Sequence, residues 1–492
     1  MSLNLITDPW IPVLDRTGAR RVIAPWQMAD ATLLRPDWPR PDLNIACLEL
    51  LIGLVYLADP PADAEDWEDR QTPDPDRLRA RLAPLAPAFN LLGEGPLFLQ
   101  DLERLEGEAN PPDMLFIDSA GANTARNNAD LMVHRERYPA LEAGLAAMAL
   151  YAFQAHAPSG GAGNRTSMRG GGPLVTLVDP GQGLWPLIWA NVPDGTPQAV
   201  ACLPWMAPTR LSDKGAQVPP PQGATFGPEA FFGMPRRLRL IAAGDLVTGV
   251  VQKPWGTNYA GWMHPLSPHY RLKAGEEWLP VHPRAGRFGY RHWLGILAEA
   301  PDTALRERAA CLRAYGGRVR DPGGATVLLA GWAMDNMKPR DFTLSVQPFV
   351  ALPGEAAGML AGLVEAAEQA ALALRAALEP VLAGGEAREA QREAFYAETE
   401  PAFGAALAAL RAGEAPAGVA ARWLAELQRA ALARFDALAL PGLDRRETDT
   451  IRAIVEVRGF LAMAFRGYGK YGGTMFGKLQ MPLPAKKKGR AA

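Results

Sequence analysis

Apolar residues recur at helical spacing through the last third of the chain and fall into short, broken runs before it. From Glu355 onward Ala, Leu, Glu and Arg dominate, and strong helix formers at a 3.6-residue period predict amphipathic helices. Four are predicted, over about 355–383, 386–411, 417–438 and 444–466, parted by Gly384-Gly385, by 413–416 and by Pro441-Gly442. Such short connections favour antiparallel neighbours, hence an antiparallel four-helix bundle. Pro401 is expected to kink or interrupt the second helix. Upstream, strand-like runs at 174–178, 238–241, 326–330 and 342–350 alternate irregularly with helical stretches at 43–58 and 140–155. No βαβ repeat emerges, so the fold class expected is α+β: a large irregular mixed domain over 1–354, then the helical domain over 355–492. Two long segments without periodicity, 107–138 and 204–235, are candidates for functional loops.

Composition narrows the possibilities. The chain has 492 residues, 48% hydrophobic and 21% charged, which suits a globular protein with a sizeable core. Its 51 Lys and Arg nearly balance 53 Asp and Glu, for a net charge of −2. Overall charge therefore does not hold it to nucleic acid or membrane, and only local basic patches remain for that purpose. Three cysteines, Cys47, Cys202 and Cys311, lie far apart with no CxxC, which argues against a disulfide framework or a cysteine zinc site and for a reducing compartment. The first thirteen residues have no basic stretch followed by a long apolar one, and the apolar run at 45–58 is too short to span a bilayer. A cytoplasmic location is expected.

Most catalytic motifs are absent or incomplete. The run at 467–472 has the letters GxGxxG, but a helix precedes it where a dinucleotide site needs a strand. The run GGTMFGKL at 472–479 has Leu479 where a phosphate loop needs Ser or Thr. Both read as a flexible, basic C-terminal segment. His264 and His269 are five apart across two prolines, and neither HExxH nor GxSxG occurs. No acid–base pair stands out, so catalytic residues, metal ligands and cofactors are not expected.

Three other segments carry more chemistry. APSGGAGNRTSMRGGG at 157–172 joins a helix to a strand; its glycines permit close backbone approach to a partner, with Arg165 and Arg169 alongside. A flexible connector would have the same composition. QKPWGTNY at 252–259 sets Lys253 beside aromatic and amide groups, the types that meet phosphates and base edges, although a lone Lys is usually just solvated. AGWAMDNMKPR at 330–340 places Asp335 and Asn336 between methionines after a strand, suiting a hairpin tip that is either a wedge or a plain surface turn.

Together these segments resemble the CasA family, the large subunit of the type I-E CRISPR surveillance complex Cascade. The opening NLITDPWIPV at 4–13 is similar to that family's start. The order is similar too: the Asn-rich loop NTARNNAD at 123–130, the glycine loop ending Arg169-Gly170-Gly171, His264-Pro265 with Ser267-Pro268, the GWAMDNM hairpin and the C-terminal helices. The resemblance spans nearly the whole chain. It implies a subunit without enzymatic activity that binds the protospacer-adjacent motif (PAM) in duplex DNA from the minor groove, begins strand separation and helps recruit a helicase–nuclease. Its partners would be the other Cascade subunits, crRNA, double-stranded target DNA and that helicase–nuclease, with no membrane. By resemblance Gly160, Gly161 and Ala162 match the glycine loop, and Lys253 the lysine finger. Asp335, Asn336 and Met337 fall at the strand-separating wedge, where the family usually has Asn and Gln; Asp335 would repel phosphate there. Asn127, Asn128 and Leu131 fall in a loop that meets the crRNA 5′ end and a neighbouring subunit. Some members carry paired cysteines suggestive of zinc, which this chain lacks. The alternatives are a stand-alone enzyme using the Gly160 loop on phosphates and a scaffold subunit without DNA contact.

Overall fold

A computed structural model describes residues 3–119, 121, 126–128, 134–135, 137–161 and 163–484. The chain forms two compact units, Met1–Arg287 with Ala304–Phe349, and Phe288–Thr303 with Val350–Ala492.

The first unit is a mixed structure of small sheets around buried helices. Strands β1 (Ile11–Asp15), β2 (Arg20–Ile23) and β3 (Leu33–Pro36) form an antiparallel sheet in the order β2-β1-β3. Helix α1 (Pro41–Ala58) starts with Pro in its first turn, where no N–H is needed, and is apolar on every face except at Glu49 and a few others. At 18 residues it is longer than the apolar run at 45–58, and by length and composition alone it could cross a bilayer. It is instead a core helix, with 89% of its length buried within the protein. Helix α2 (Ala143–His156) packs on it and is likewise buried over most of its length.

Three strands form the sheet that carries the hairpin singled out in the sequence. Strand β4 (Val175–Asp179) pairs with β7 (Thr326–Asp335), which pairs in turn with the edge strand β8 (Lys338–Pro348), all antiparallel. Strands β5 (Arg237–Ala243) and β6 (Leu246–Lys253) form a second hairpin, with Leu141-Glu142 added at its edge. Strand β6 follows β5 in sequence after a two-residue turn.

The second unit is helical: α3 (Gly354–Ala377), α4 (Gly385–Arg411), α5 (Pro416–Ala439), α6 (Thr448–Ala464) and α7 (Gly469–Lys478). Pro401 lies inside α4, and the helix continues through it rather than stopping. The composition-based division near 354 leaves out Phe288–Thr303, which belongs here. That segment inserts Tyr290 and Trp293 into the helical core: Tyr290 stacks on Phe403 at 4.4 Å and its hydroxyl lies 2.7 Å from Thr399 Oγ1, while Trp293 meets Phe403 edge-on at 5.1 Å. The Trp423 indole N–H donates to the Leu363 carbonyl at 2.9 Å.

Residues 469–478 correct another expectation, since they form a packed helix and not a flexible segment. Met475 and Phe476 are buried. A Cβ at Gly472 would stand 2.4 Å from the Ala464 carbonyl oxygen, and one at Gly362 would stand 2.2 Å from that of Lys478. Gly472, shared by both phosphate-loop look-alikes, thus serves close helix contact. Lys478 donates to Glu365 at 2.6 Å.

Candidate nucleic-acid interface

The glycine loop leaves α2 at His156 and is closed on itself by backbone bonds. Ser167 N–H donates to the Ala157 carbonyl at 2.9 Å and Gly172 N–H to that of His156 at 2.9 Å. Within the tip, Gly160 N–H donates to Asn164 (3.2 Å) and Asn164 N–H to Gly161 (2.7 Å). Gly161 is exposed with φ +66°, a conformation that glycine adopts without steric penalty, and open space faces it. Ala162 lies outside the described residues.

A buried charged cluster holds the loop's foot. Arg169, read from sequence as a flanking cation, is buried and pairs with Glu49 of α1 at 2.7 Å, so it is not available to a partner. Glu49 also meets His156 Nε2 of α2 at 2.7 Å, and Arg169 donates to Ser267 Oγ at 3.2 Å. Burial alone would raise the Glu49 carboxyl, but Arg169 and His156 hold it well below the usual carboxylate range. Burial, reinforced by Arg169, pushes His264 well below its ordinary value and His269 down to about 4. The adjacent cavity of about 10 Å³, bounded by Tyr151, Gln154 and Met168, holds at most one water. The cluster clamps a loop; a substrate has no room there.

The second segment meets the first directly. Lys253 ends β6 opposite Arg237, with its ammonium 3.3 Å from where a Cβ on Gly107 would lie. Among the described residues it makes no ion pair. Trp255, at φ +67° and 39% exposed, donates its N–H to the Gly163 carbonyl at 2.9 Å. Its ring occupies the space beside Gly163, where a Cβ would approach to 2.9 Å. Gln252 Nε2 donates to Asn164 Oδ1 at 2.9 Å. Arg165 lies over the Trp255 ring at 5.3 Å and donates to Ser212 Oγ at 2.8 Å. Two segments ninety residues apart thus build one surface.

Arg236 completes it and had no sequence signal. Its side chain is 5% exposed, lies 5.2 Å from the Phe153 ring and donates to the Pro158 carbonyl. Burial pushes its guanidinium down to about 10.

The hairpin is longer than its sequence pattern implied. Its strands run to Asp335 and from Lys338, leaving only Asn336 and Met337 at the tip, with φ +48° and +62°. Positive φ at both positions is the signature of a type I′ turn. The register shifts between Ala333 and Met334, so Arg340 is extra on β8, a bulge that increases local twist. Arg340 uses this position to bond Asp335 at 2.8 Å. The negative charge expected to repel phosphate therefore has a cation beside it. Met337 is 53% exposed. The hairpin also touches the glycine loop's end: a Cβ on Gly172 would come within 2.3 Å of the Trp332 carbonyl and 3.0 Å of Met334 Cε.

Of the crRNA-loop candidates, Asn127 and Asn128 are exposed and Asn128 Oδ1 accepts from Arg135 at 3.0 Å; Leu131 lies outside the described residues. Among the described residues no three His, Cys, Asp or Glu side chains group as metal ligands.

A sequence model of the CRISPR-associated protein Cse1 family matches residues 4–433. Solved structures share the fold. Thermus thermophilus CasA (Cse1) superposes with a TM-score of 0.74 at 22% identity, over 94% of this chain and 99% of that one. Thermobifida fusca Cse1 gives 0.71 at 19% identity, over 97% and 98%. Acidimicrobium ferrooxidans Cse1 gives 0.68 at 19% identity, over 94% and 98%. With 430 consecutive positions matched by the family's own sequence pattern and the fold shared end to end, this chain belongs to the CRISPR-associated Cse1 (CasA) family, the large subunit of the type I-E Cascade.

Proposed function

We propose that this chain recognises the PAM in duplex DNA from the minor groove, starts strand separation and R-loop formation, and helps recruit the helicase–nuclease, without catalysing a reaction itself. The observation that carries the reading is the meeting of the glycine loop with the Lys253–Trp255 segment, through the Trp255 N–H bond to Gly163 and the Gln252 bond to Asn164. Two adjacent glycines at Gly160 and Gly161, an ammonium with no ion pair among the described residues and an exposed indole make a surface suited to a groove.

Minor-groove readout separates mainly A·T from G·C, so a tolerant PAM preference is expected. Sequence identity is left to guide pairing, whose heteroduplex is about as stable as the duplex it replaces. The barrier lies at the first step, where stacking of about 1.4 kcal/mol per base-pair step is lost before RNA pairing compensates. The Asp335–Met337 tip is the wedge for that step, and Arg340 screens Asp335 from the phosphates. Asn127, Asn128 and Leu131 are assigned to the crRNA 5′ end and a neighbouring subunit. The five C-terminal helices are read as an antiparallel four-helix bundle plus α7, a platform within the assembly, and the two domains as meeting near residue 354 apart from the inserted Phe288–Thr303.

The test is PAM-duplex binding by the assembled complex at fixed salt, because phosphate contacts make affinity depend strongly on ionic strength. Lys253→Ala removes a cation and Gly161→Phe blocks backbone approach; each should weaken binding on the order of tenfold, the scale of a lost charged hydrogen bond. If both variants bind like the parent, the surface is misassigned.

A further inference from the structure

The surface contains a cation that no sequence resemblance points to. Arg236 is buried beneath the glycine loop, and its guanidinium lies against Gly160: a Cβ there would stand 3.0 Å from Nη1 and 3.3 Å from Nη2. Nη2 donates to the Pro158 carbonyl, which props the loop. Nε is buried without a hydrogen-bond partner, Nη1 has none among the described residues, and no carboxylate among them pairs with the side chain. A buried, unpaired guanidinium is unusual, because desolvation of a charge is normally offset by a counter-charge. Gly160 is exposed. Its missing side chain leaves open the space directly beside the guanidinium edge.

We propose that Arg236 binds a DNA backbone phosphate through the gap at Gly160, supplying a counter-charge that it lacks among the described residues. The proposal rests on the PAM-binding reading and deepens it. Lys253 then marks one contact and Arg236 a second, separate one on the same surface. Glycine at position 160 is required twice over, since any side chain would strike Asn164 Cβ at 2.9 Å and close the gap.

The experiment measures affinity of the assembled complex for PAM duplex across a salt series, for the parent, Arg236→Met, Arg236→Gln and Arg236→Lys. Met keeps an unbranched side chain of similar reach and removes the charge. Gln removes the charge and keeps an N–H donor for the Pro158 carbonyl, so it holds the loop should Met fail to fold. Losing one phosphate contact should flatten the slope of log affinity against log salt by about 0.9 and weaken binding on the order of tenfold, equally on PAM and non-PAM duplex. Arg236→Lys should keep the parent slope. Parent-like affinity and slope in Met and Gln would overturn the assignment. So would lost affinity with an unchanged slope, which would make Arg236 a prop for the loop only. Lys253→Ala run alongside separates the two claims: a defect there with none at Arg236 defeats this inference alone, whereas no defect at either defeats the PAM-binding reading.

Discussion

Asn336 and Met337 hold φ values of +48° and +62°, a conformation that Asn tolerates and Met does not favour. Type I′ turns prefer Asn-Gly, so the first position obeys the rule and the second breaks it. Positive φ at a methionine that is half exposed is a conformation packing does not require, and it suits the proposed wedge. Met337→Gly should therefore raise unfolding free energy by about 1 kcal/mol, measured by denaturant titration, while slowing strand opening in the assembled complex. A variant that opened DNA at the parent rate would show that the methionine's side chain has no part in the step. Lys253, Asn336 and Met337 could be singled out as candidates in the sequence through their local context and the family resemblance. Arg236 could not: it is one of two adjacent arginines at the start of a strand, and what distinguishes it, a buried guanidinium with no carboxylate partner among the described residues, emerges only in the folded chain.

The clamp around Arg169 joins three elements, with Glu49 from α1, His156 from α2 and Arg169 from the loop, and His264 and His269 buried alongside. Sequence spacing ruled out a zinc-protease pair but gave no hint that His156 bonds the Glu49 carboxylate or that His264 lies near enough to act on it, because these residues are more than a hundred positions from Glu49. The titration has a definite sign. The folded His269 value of about 4 lies below the unfolded value near 6.5, and His264 is displaced the same way. Between these limits the unfolded chain binds more protons, so stability rises with pH and is lost as pH falls from about 6.5 through about 4. Arg169 and Arg313 act on His269 in the same direction, reinforcing its neutral form. Thermal unfolding should thus show a drop in stability of about 1–3 kcal/mol from pH 7 to pH 4, and His269→Gln should shrink that drop. A melting temperature flat across this range would contradict the buried, neutral assignment. The hairpin's strands, in contrast, were half legible: the β-branched and aromatic runs marked its base, while the Pro339 and Arg340 that break the pattern near the tip hid its true length. Pro is accepted there because β8 is an edge strand.

At the level of the whole molecule, the order of elements and the change of character near residue 354 follow from periodicity, and the long C-terminal helices appear close to where Ala, Leu and Glu place them. Assignment of Phe288–Thr303 to the helical unit does not, since the segment is short and irregular and earns its place only through Tyr290 and Trp293 in a distant aromatic core. The same holds for α7, whose Gly472 carries two meanings in sequence and one in the structure. The family was readable from the ordered set of weak motifs, and the matched pattern over 4–433 establishes it. What remains a proposal is the division of labour: a loop-and-lysine surface that binds the PAM, and a separate tip that opens the first pair. The most direct test compares R-loop formation rates on an intact target and on one already unpaired beside the PAM, for the parent and for a chain with Asp335, Asn336 and Met337 replaced together by glycine or alanine. Wedges that unstack a step offset a few kcal/mol at that position, so the triple variant should be slow on the intact target and near the parent rate on the pre-opened one. An equal defect on both targets would contradict the account, because the hairpin would then serve binding or folding and not strand separation.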